Sequence, residues 1–279
     1  MIKAVLFDFD ETLQDRTKAF EGYMDAFMQD FLPDLPKSEQ EKRKKDMVDT
    51  GNGGYVDRKK WYQSLIDMWH WKNAPSPAVL ANHYDTQFGY HNVIFDGSKP
   101  LLQALREKGL ITGVITNGPS ILQQTKMEQS GLMPYCDIVV VSGDLPFAKP
   151  DRRIFEYTAD KLGLKTSECL YVGDHPVNDI AGAKLAGMQA LRMNWGWFYN
   201  VDLRPDVPVI SNIYDVLKYI QLKFFCRGRA SVPSPFLFRR VRRPQRTVFE
   251  FCINLFRRAE GSPSYGNQCI RINCLLFCV

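Results

Sequence analysis

Ala4-Val-Leu-Phe7 is an unbroken apolar run that ends in Asp8-Phe-Asp10. A strand with one wet face alternates, so a short run without alternation reads as a strand buried on both faces, a central strand of a parallel sheet. Parallel strands need long crossover connections, normally helical, and this one stretch therefore commits the chain to an α/β architecture. In open sheets of that kind ligands collect beyond the carboxyl ends of the strands, where Asp8 and Asp10 stand. Two residues apart on extended chain, their side chains leave the same way and converge. Paired carboxylates repel unless a shared proton or a cation relieves them, and magnesium is the ordinary relief for an all-oxygen donor set. Taken alone, Asp-x-Asp at a strand end is equally a strand stop whose side chains cap local backbone.

The rest of the chain repeats the opening pattern. Residues 110–115, 137–141, 170–172 and 189–192 are apolar runs that read as strands, and 100–108, 119–130, 152–162, 180–186 and 213–222 read as helices between and after them. Gly109, Gly131 and Gly187 stand where glycines close helices. This alternation predicts right-handed crossovers and a doubly wound, Rossmann-like parallel sheet. Before residue 96 the texture differs. Phe20, Tyr23, Met24, Phe27, Met28 and Phe31 fall at helical spacing ahead of Pro33, and 39–48 is a charged helix. Asn52-Gly-Gly54 breaks the chain, and 58–71 and 77–90 read as two more helices. A structureless connection of about 80 residues lies far outside the usual range. Residues 14–95 are therefore expected to form a small helical domain, with 1–13 and 96–222 forming the sheet core.

Charge is unevenly spread. The formal +5 conceals a segment, 223–279, with eleven Lys and Arg against two Asp and Glu, while 1–222 holds 25 against 29. The body is mildly acidic, which argues against a nucleic-acid surface there. Glu41-Lys-Arg-Lys-Lys45 sits among acidic residues and reads as a solvated helix face. The body has only Cys136 and Cys169, both in apolar surroundings, which suits a reducing compartment. The opening apolar run is too short for a signal peptide or a membrane span, so a cytoplasmic protein without a transmembrane segment is expected.

Four strand ends carry polar groups in order: Asp8, Asp10 and Thr12; Thr116 and Asn117; Lys149; Asp174 and Asp179. In a parallel sheet all four face one crevice, and together they supply the parts of phosphoryl transfer. One carboxylate can act as nucleophile and a second as acid and base. Hydroxyl, amide and ammonium groups can hold phosphate oxygens, and further carboxylates a magnesium ion.

On the motifs Asp-x-Asp-x-Thr, Thr-Asn, Lys-Pro and Gly-Asp-x-x-x-x-Asp, in that order, residues 1–222 resemble the haloacid dehalogenase superfamily. The resemblance implies Asp8 as nucleophile, Asp10 as general acid and base, and Thr116, Asn117 and Lys149 as substrate and phosphate holders. Magnesium would be bound by Asp8, the Asp10 backbone carbonyl and Asp174, with Asp179 assisting directly or through water. Residues 14–95 look like the family's helical cap. Asp10-Glu-Thr-Leu13 in place of the commoner Asp-Gly-Thr-Leu, and Gln123-Gln-x-x-Lys126, resemble the branch with nucleotidase-like and phosphoglycolate phosphatases. The implied activity is magnesium-dependent hydrolysis of a small phosphorylated metabolite by a monomer or homodimer.

Rival readings are a dehalogenase or phosphomutase of the same fold and, in another class, a silent binding module. Asp10 argues against the dehalogenase, because a halide leaving group needs no acid. His175 reads as a loop residue, and His70, His83 and His91 lack metal-ligand spacing. Tyr55, Trp61, Tyr62, Trp69 and Trp71 read mostly as interior of the helical region. The tail, with ten Arg, five Cys and Arg239-Arg-Val-Arg-Arg243, reads as an appended segment without fixed structure, its partner unknown. A basic arm for nucleic acid or anionic lipid is the alternative. Truncation after residue 222 should leave the melting temperature within about two degrees, since the fold's alternation closes there. A larger drop in a calorimetric scan would show that the tail packs on the body.

Overall fold

The structure, a computed structural model, describes residues 1–194 and 206–225. The reading of the tail lies outside the described residues from 226 onward. Six parallel strands form one sheet: β1 (Ala4–Phe7), β2 (Ile111–Thr116), β3 (Ile138–Val141), β4 (Cys169–Gly173), β5 (Gln189–Met193) and β6 (Val209–Ile210), in the order β3-β2-β1-β4-β5-β6. The central place of β1 follows from its composition. Val5 and Phe7 face one apolar cluster and Ala4 and Leu6 the other, all four fully buried. Helices α5 (Ser98–Glu107) and α9 (Val216–Phe225) cover the first face through Leu101, Leu102, Leu105, Val216 and Ile220. Helix α7 (Arg152–Lys161) and the short α8 (Gly182–Leu185) cover the second through Ile154, Phe155 and Ala183. This is the Rossmann-like α/β core the alternation predicts. The sixth helix of the chain, α6 (Ser120–Gln129), follows β2.

Between β1 and β2 lie α1 (Arg16–Phe31), α2 (Lys37–Thr50), α3 (Arg58–Met68) and α4 (Pro77–Gln87). They bury a third apolar cluster of their own, with Tyr23, Phe27, Tyr62, Leu65 and Phe88 at its centre. Leu122 of α6 joins it from the sheet side. His83 belongs to this interior, linking Tyr23 at 3.1 Å to Asp30 at 3.0 Å.

Three local features differ from expectation. The helix expected over 180–186 begins earlier, as a π-helical turn, Pro176–Ala181, that runs into α8. Pro176 suits a first helical position, since its missing N–H would have no intrahelical partner there. Strand β6 has two residues, too few for any periodicity to reveal. Helix α9 continues three residues past the expected close, so a cut after Phe225 spares its last turn.

Just after β1 the chain turns sharply, with the Leu13 and Gln14 amides donating to the Phe9 carbonyl at 2.9 and 3.0 Å. That turn puts Glu11 at φ 57°, a left-handed conformation that costs a residue with a Cβ about 1 kcal/mol. The Glu11 carboxylate offsets this by accepting from the Thr17 amide at 3.0 Å and its hydroxyl at 2.9 Å, which ties the first turn of α1 to the loop. Glu11→Ala should lose both bonds, keep the strain and destabilise by about 2 kcal/mol. Glu11→Gly should recover about 1 kcal/mol of that by relieving the strain. Urea unfolding of the two variants checks the difference, and equal stabilities would show that the turn carries no strain.

Candidate active site

Parallel pairing sets the strand ends side by side. Phe7 lies between Val114 of β2 and Val172 of β4, so the chain just beyond each strand opens into the same space. A cavity of about 680 Å³ occupies that space between the sheet and the inserted helices. From the sheet come Asp8, Asp10, Thr116, Lys149, Asp174 and Asp179; from the inserted region come Arg16, Tyr55, Arg58 and Tyr84.

Lys149, almost wholly buried, is the hub of one half. Its ammonium donates to Asp8 Oδ1 at 2.6 Å, to Asp179 Oδ1 at 2.7 Å and to the Tyr171 hydroxyl at 3.0 Å. Asp179 Oδ2 accepts the His175 amide at 2.9 Å, a bond made possible by the π-helical turn. Gly173 leaves the room, since a Cβ there would stand 2.5 Å from the Asp179 carboxyl carbon. Oxygens of Asp8, Asp174 and Asp179 all lie within 4.8 Å of one another. Burial, joined by the charge of Asp179, pushes Asp8 up to about 7 despite Lys149. Burial and the same neighbours hold Asp174 well above its ordinary range. Burial alone would lower Lys149, but Asp179 and Asp8 more than reverse it and raise the ammonium. Three buried carboxylates against one ammonium leave negative charge in excess, and this all-oxygen donor set fits a hard divalent cation.

Asp10 points into a second cluster. Its carboxylate accepts Gln14 Nε2 at 2.7 Å, Gln123 Nε2 at 3.0 Å and Lys126 Nζ at 2.9 Å on both oxygens. Burial opposes ionisation here, yet Lys126 and then Arg16 outweigh it and hold Asp10 below its usual value. The Lys126 ammonium also lies 4.8 Å from the centre of the Phe88 ring, which belongs to the inserted region.

The two halves share a rim. The hydroxyls of Thr116 and Thr12 are buried without a hydrogen-bond partner among the described residues. The Asn117 amide group donates to the Lys149 carbonyl at 2.9 Å and accepts the Lys149 amide at 3.0 Å. It therefore holds the Lys149 loop in place at the edge of the cavity. His175 caps the π-helical turn, its Nδ1 accepting the amides of Val177 and Asn178 at 3.1 Å each. Burial pushes its ring down to about 4, so it is neutral at physiological pH. Tyr55, expected in the interior, is partly exposed and meets the His175 ring edge-on at 5.8 Å. Sequence reading passes over Tyr171, which looks like any apolar strand residue, and over Arg16, which has no motif around it.

The chain matches the family model described as haloacid dehalogenase-like hydrolase over residues 2–187. It belongs to that family of hydrolases. It is 31% identical over 214 residues to a glyceraldehyde 3-phosphate phosphatase of Methanopyrus kandleri, covering 74% of this chain and 90% of the relative. It is 30% identical over 194 residues to the pyrimidine 5'-nucleotidase YjjG of Escherichia coli, covering 68% and 85% respectively. Among solved structures, a 2-haloacid dehalogenase of Pseudomonas syringae pv. Tomato DC3000 superposes with a TM-score of 0.56 at 28% identity, covering 80% of this chain and all of that one. No described helix is long and apolar enough to cross a membrane.

The buried Lys126–Asp10 pair predicts a specific asymmetry. Lys126→Met leaves a carboxylate without its cation and should cost about 3–5 kcal/mol. Adding Asp10→Asn should return a large part of that loss, because the orphaned charge disappears with it. Thermal unfolding of the two single variants and the double variant reads the coupling, and simple additivity would mean the pair is not coupled.

Proposed function

We propose that the protein is a magnesium-dependent phosphatase that hydrolyses a small phosphomonoester through an aspartyl-phosphate on Asp8. The observation that carries this is a carboxylate triad, two of its members bonded to Lys149, on the same cavity as a Thr116 hydroxyl without a partner among the described residues. The relatives named for phosphatase and nucleotidase activity support the reading. Asp8 attacks phosphorus as the P–O bond to the alcohol breaks, and Asp10 delivers a proton to the departing oxygen. Water then attacks the Asp8 phosphate with Asp10 taking its proton, which restores both carboxyl groups. Lys126 favours the ionised Asp10 that this second step needs. Thr116 and Lys149 hold phosphate oxygens, while Asn117 keeps the Lys149 loop in position.

Asp8, Asp174 and the Asp10 backbone carbonyl would hold magnesium, whose charge offsets that of a phosphate brought onto an aspartate. Both Asp179 oxygens already accept protein hydrogen bonds, which supports a place for that residue behind a bound water. A cavity of about 680 Å³ suits a nucleoside monophosphate or a smaller sugar or glycolate phosphate. The body's buried or half-buried free thiols agree with a cytoplasmic setting.

A 2-haloacid dehalogenase among the structural neighbours makes carbon–halogen cleavage the reading to exclude. Turnover of p-nitrophenyl phosphate and of a panel of phosphorylated metabolites should require magnesium and stop on adding a chelator. Asp8→Asn and Asp10→Asn should each lower kcat by about 10² or more. Metal-independent turnover, or full turnover in both variants, would refute the mechanism.

A further inference from the structure

Four Lys and Arg side chains line the cavity, and three of them are committed to carboxylates. Lys149 pairs with Asp8 and Asp179, Lys126 with Asp10 at 2.9 Å, and Arg58 with Asp85 at 2.9 Å. Arg16 is the exception. Among the described residues no carboxylate ion-pairs with its half-buried guanidinium, which is steadied by the Tyr84 hydroxyl at 3.2 Å and stands 5.7 Å from the centre of the Phe88 ring. Asp10 and Glu11 favour its charge from beyond ion-pair distance, so its fork of donors is left for a ligand to fill.

The guanidinium lines the cavity beneath the 52–54 turn. Gly54, at φ +91°, leaves the room that the guanidinium fills. A Cβ at that position would come 2.3 Å from Arg16 Nη2. Arg16 also borders a second pocket of about 130 Å³, which shares Gly53, Gly54 and Tyr84 with the main cavity's lining and is walled by Phe20, Met24, Val56 and Trp61. The strand ends thus build one part of the cavity, and on the side of the inserted helices a guanidinium without an ion-pair partner among the described residues stands beside an apolar recess. A planar fork of donors in that place matches a carboxylate bidentately.

We infer that the group carried by the phosphate is itself anionic, and that Arg16 is the residue that selects it by pairing with a carboxylate. This rests on the phosphomonoester reading above and narrows it to phosphorylated acids. Arg16 is then a specificity-determining residue, while the chemistry stays with Asp8 and Asp10.

Non-hydrolysable probes separate the two readings. In magnesium buffer, calorimetric titration compares 3-phosphonopropionate with propylphosphonate, and 4-phosphonobutyrate with butylphosphonate. Each pair differs in the terminal carboxylate alone. The acid should bind the wild-type protein about tenfold or more tightly in at least one pair, as a charge-assisted pair does. Arg16→Gln should erase that gap, and Arg16→Lys should keep part of it. A wild-type protein without a gap overturns the inference, as does a gap that survives in Arg16→Gln. If Arg16 served only to keep Asp10 ionised, its loss would weaken acid and neutral probes by the same factor, which also overturns it. Melting curves of both variants confirm that each is folded before it is titrated. Turnover of p-nitrophenyl phosphate is measured alongside. Its absence with the gap present would count against the phosphatase chemistry and leave the selectivity of Arg16 standing.

Discussion

One ammonium group among three buried carboxylates governs this site. Lys149 lies within hydrogen-bond reach of Asp8 and Asp179, and Asp174 completes the triad around it. Removing an ion from water costs several kcal/mol even after relaxation, so such a group persists only where every partner is in place. The surrounding architecture supplies those partners. Asn117 clamps the backbone of Lys149 from both sides, Tyr171 donates to the Ile115 carbonyl while accepting from Lys149, and Gly173 yields the space that Asp179 fills. Three carboxylates against one ammonium leave negative charge uncompensated, which makes the triad receptive to a cation.

The inserted helices meet this centre at few points, and each contact has a chemical character. The Phe88 ring lies against Lys126, which keeps Asp10 ionised, and Tyr55 abuts His175 beside the triad. Leu122 reaches from α6 into the insertion's apolar interior. The helices thus share one wall with the sheet and otherwise bury their own core. Arg16 stands at the junction, on the first turn of α1 and tied through Thr17 and Glu11 to the loop that carries Asp10. Arg16 is therefore one short turn away from Asp10.

Much of this was legible beforehand. The apolar run at β1 announced a strand buried on both sides, and Ala4 through Phe7 show no exposed face. Strand ends with Asp8, Thr116, Lys149 and Asp174 could be placed on one crevice because parallel strands share a direction. What escaped notice were residues whose role depends on neighbours remote in sequence. Tyr171 has the ordinary look of a core aromatic, yet its hydroxyl meets Lys149 across 22 positions. Asn117 belongs to a recognisable motif, and only the fold shows its side chain spent on backbone.

The sequence by itself determined the class of fold and the inventory of reactive groups, since both follow from local periodicity and from the carboxyl ends that parallel strands share. Tertiary structure decided which group answers which. Asp8 and Asp10 are two residues apart, yet one faces Lys149 from beyond β3 and the other Lys126 from α6, so burial raises the first while its partners lower the second. No pattern along the chain could assign those partners, because electrostatic coupling depends on distance and burial, and both are set only when the helices close over the sheet.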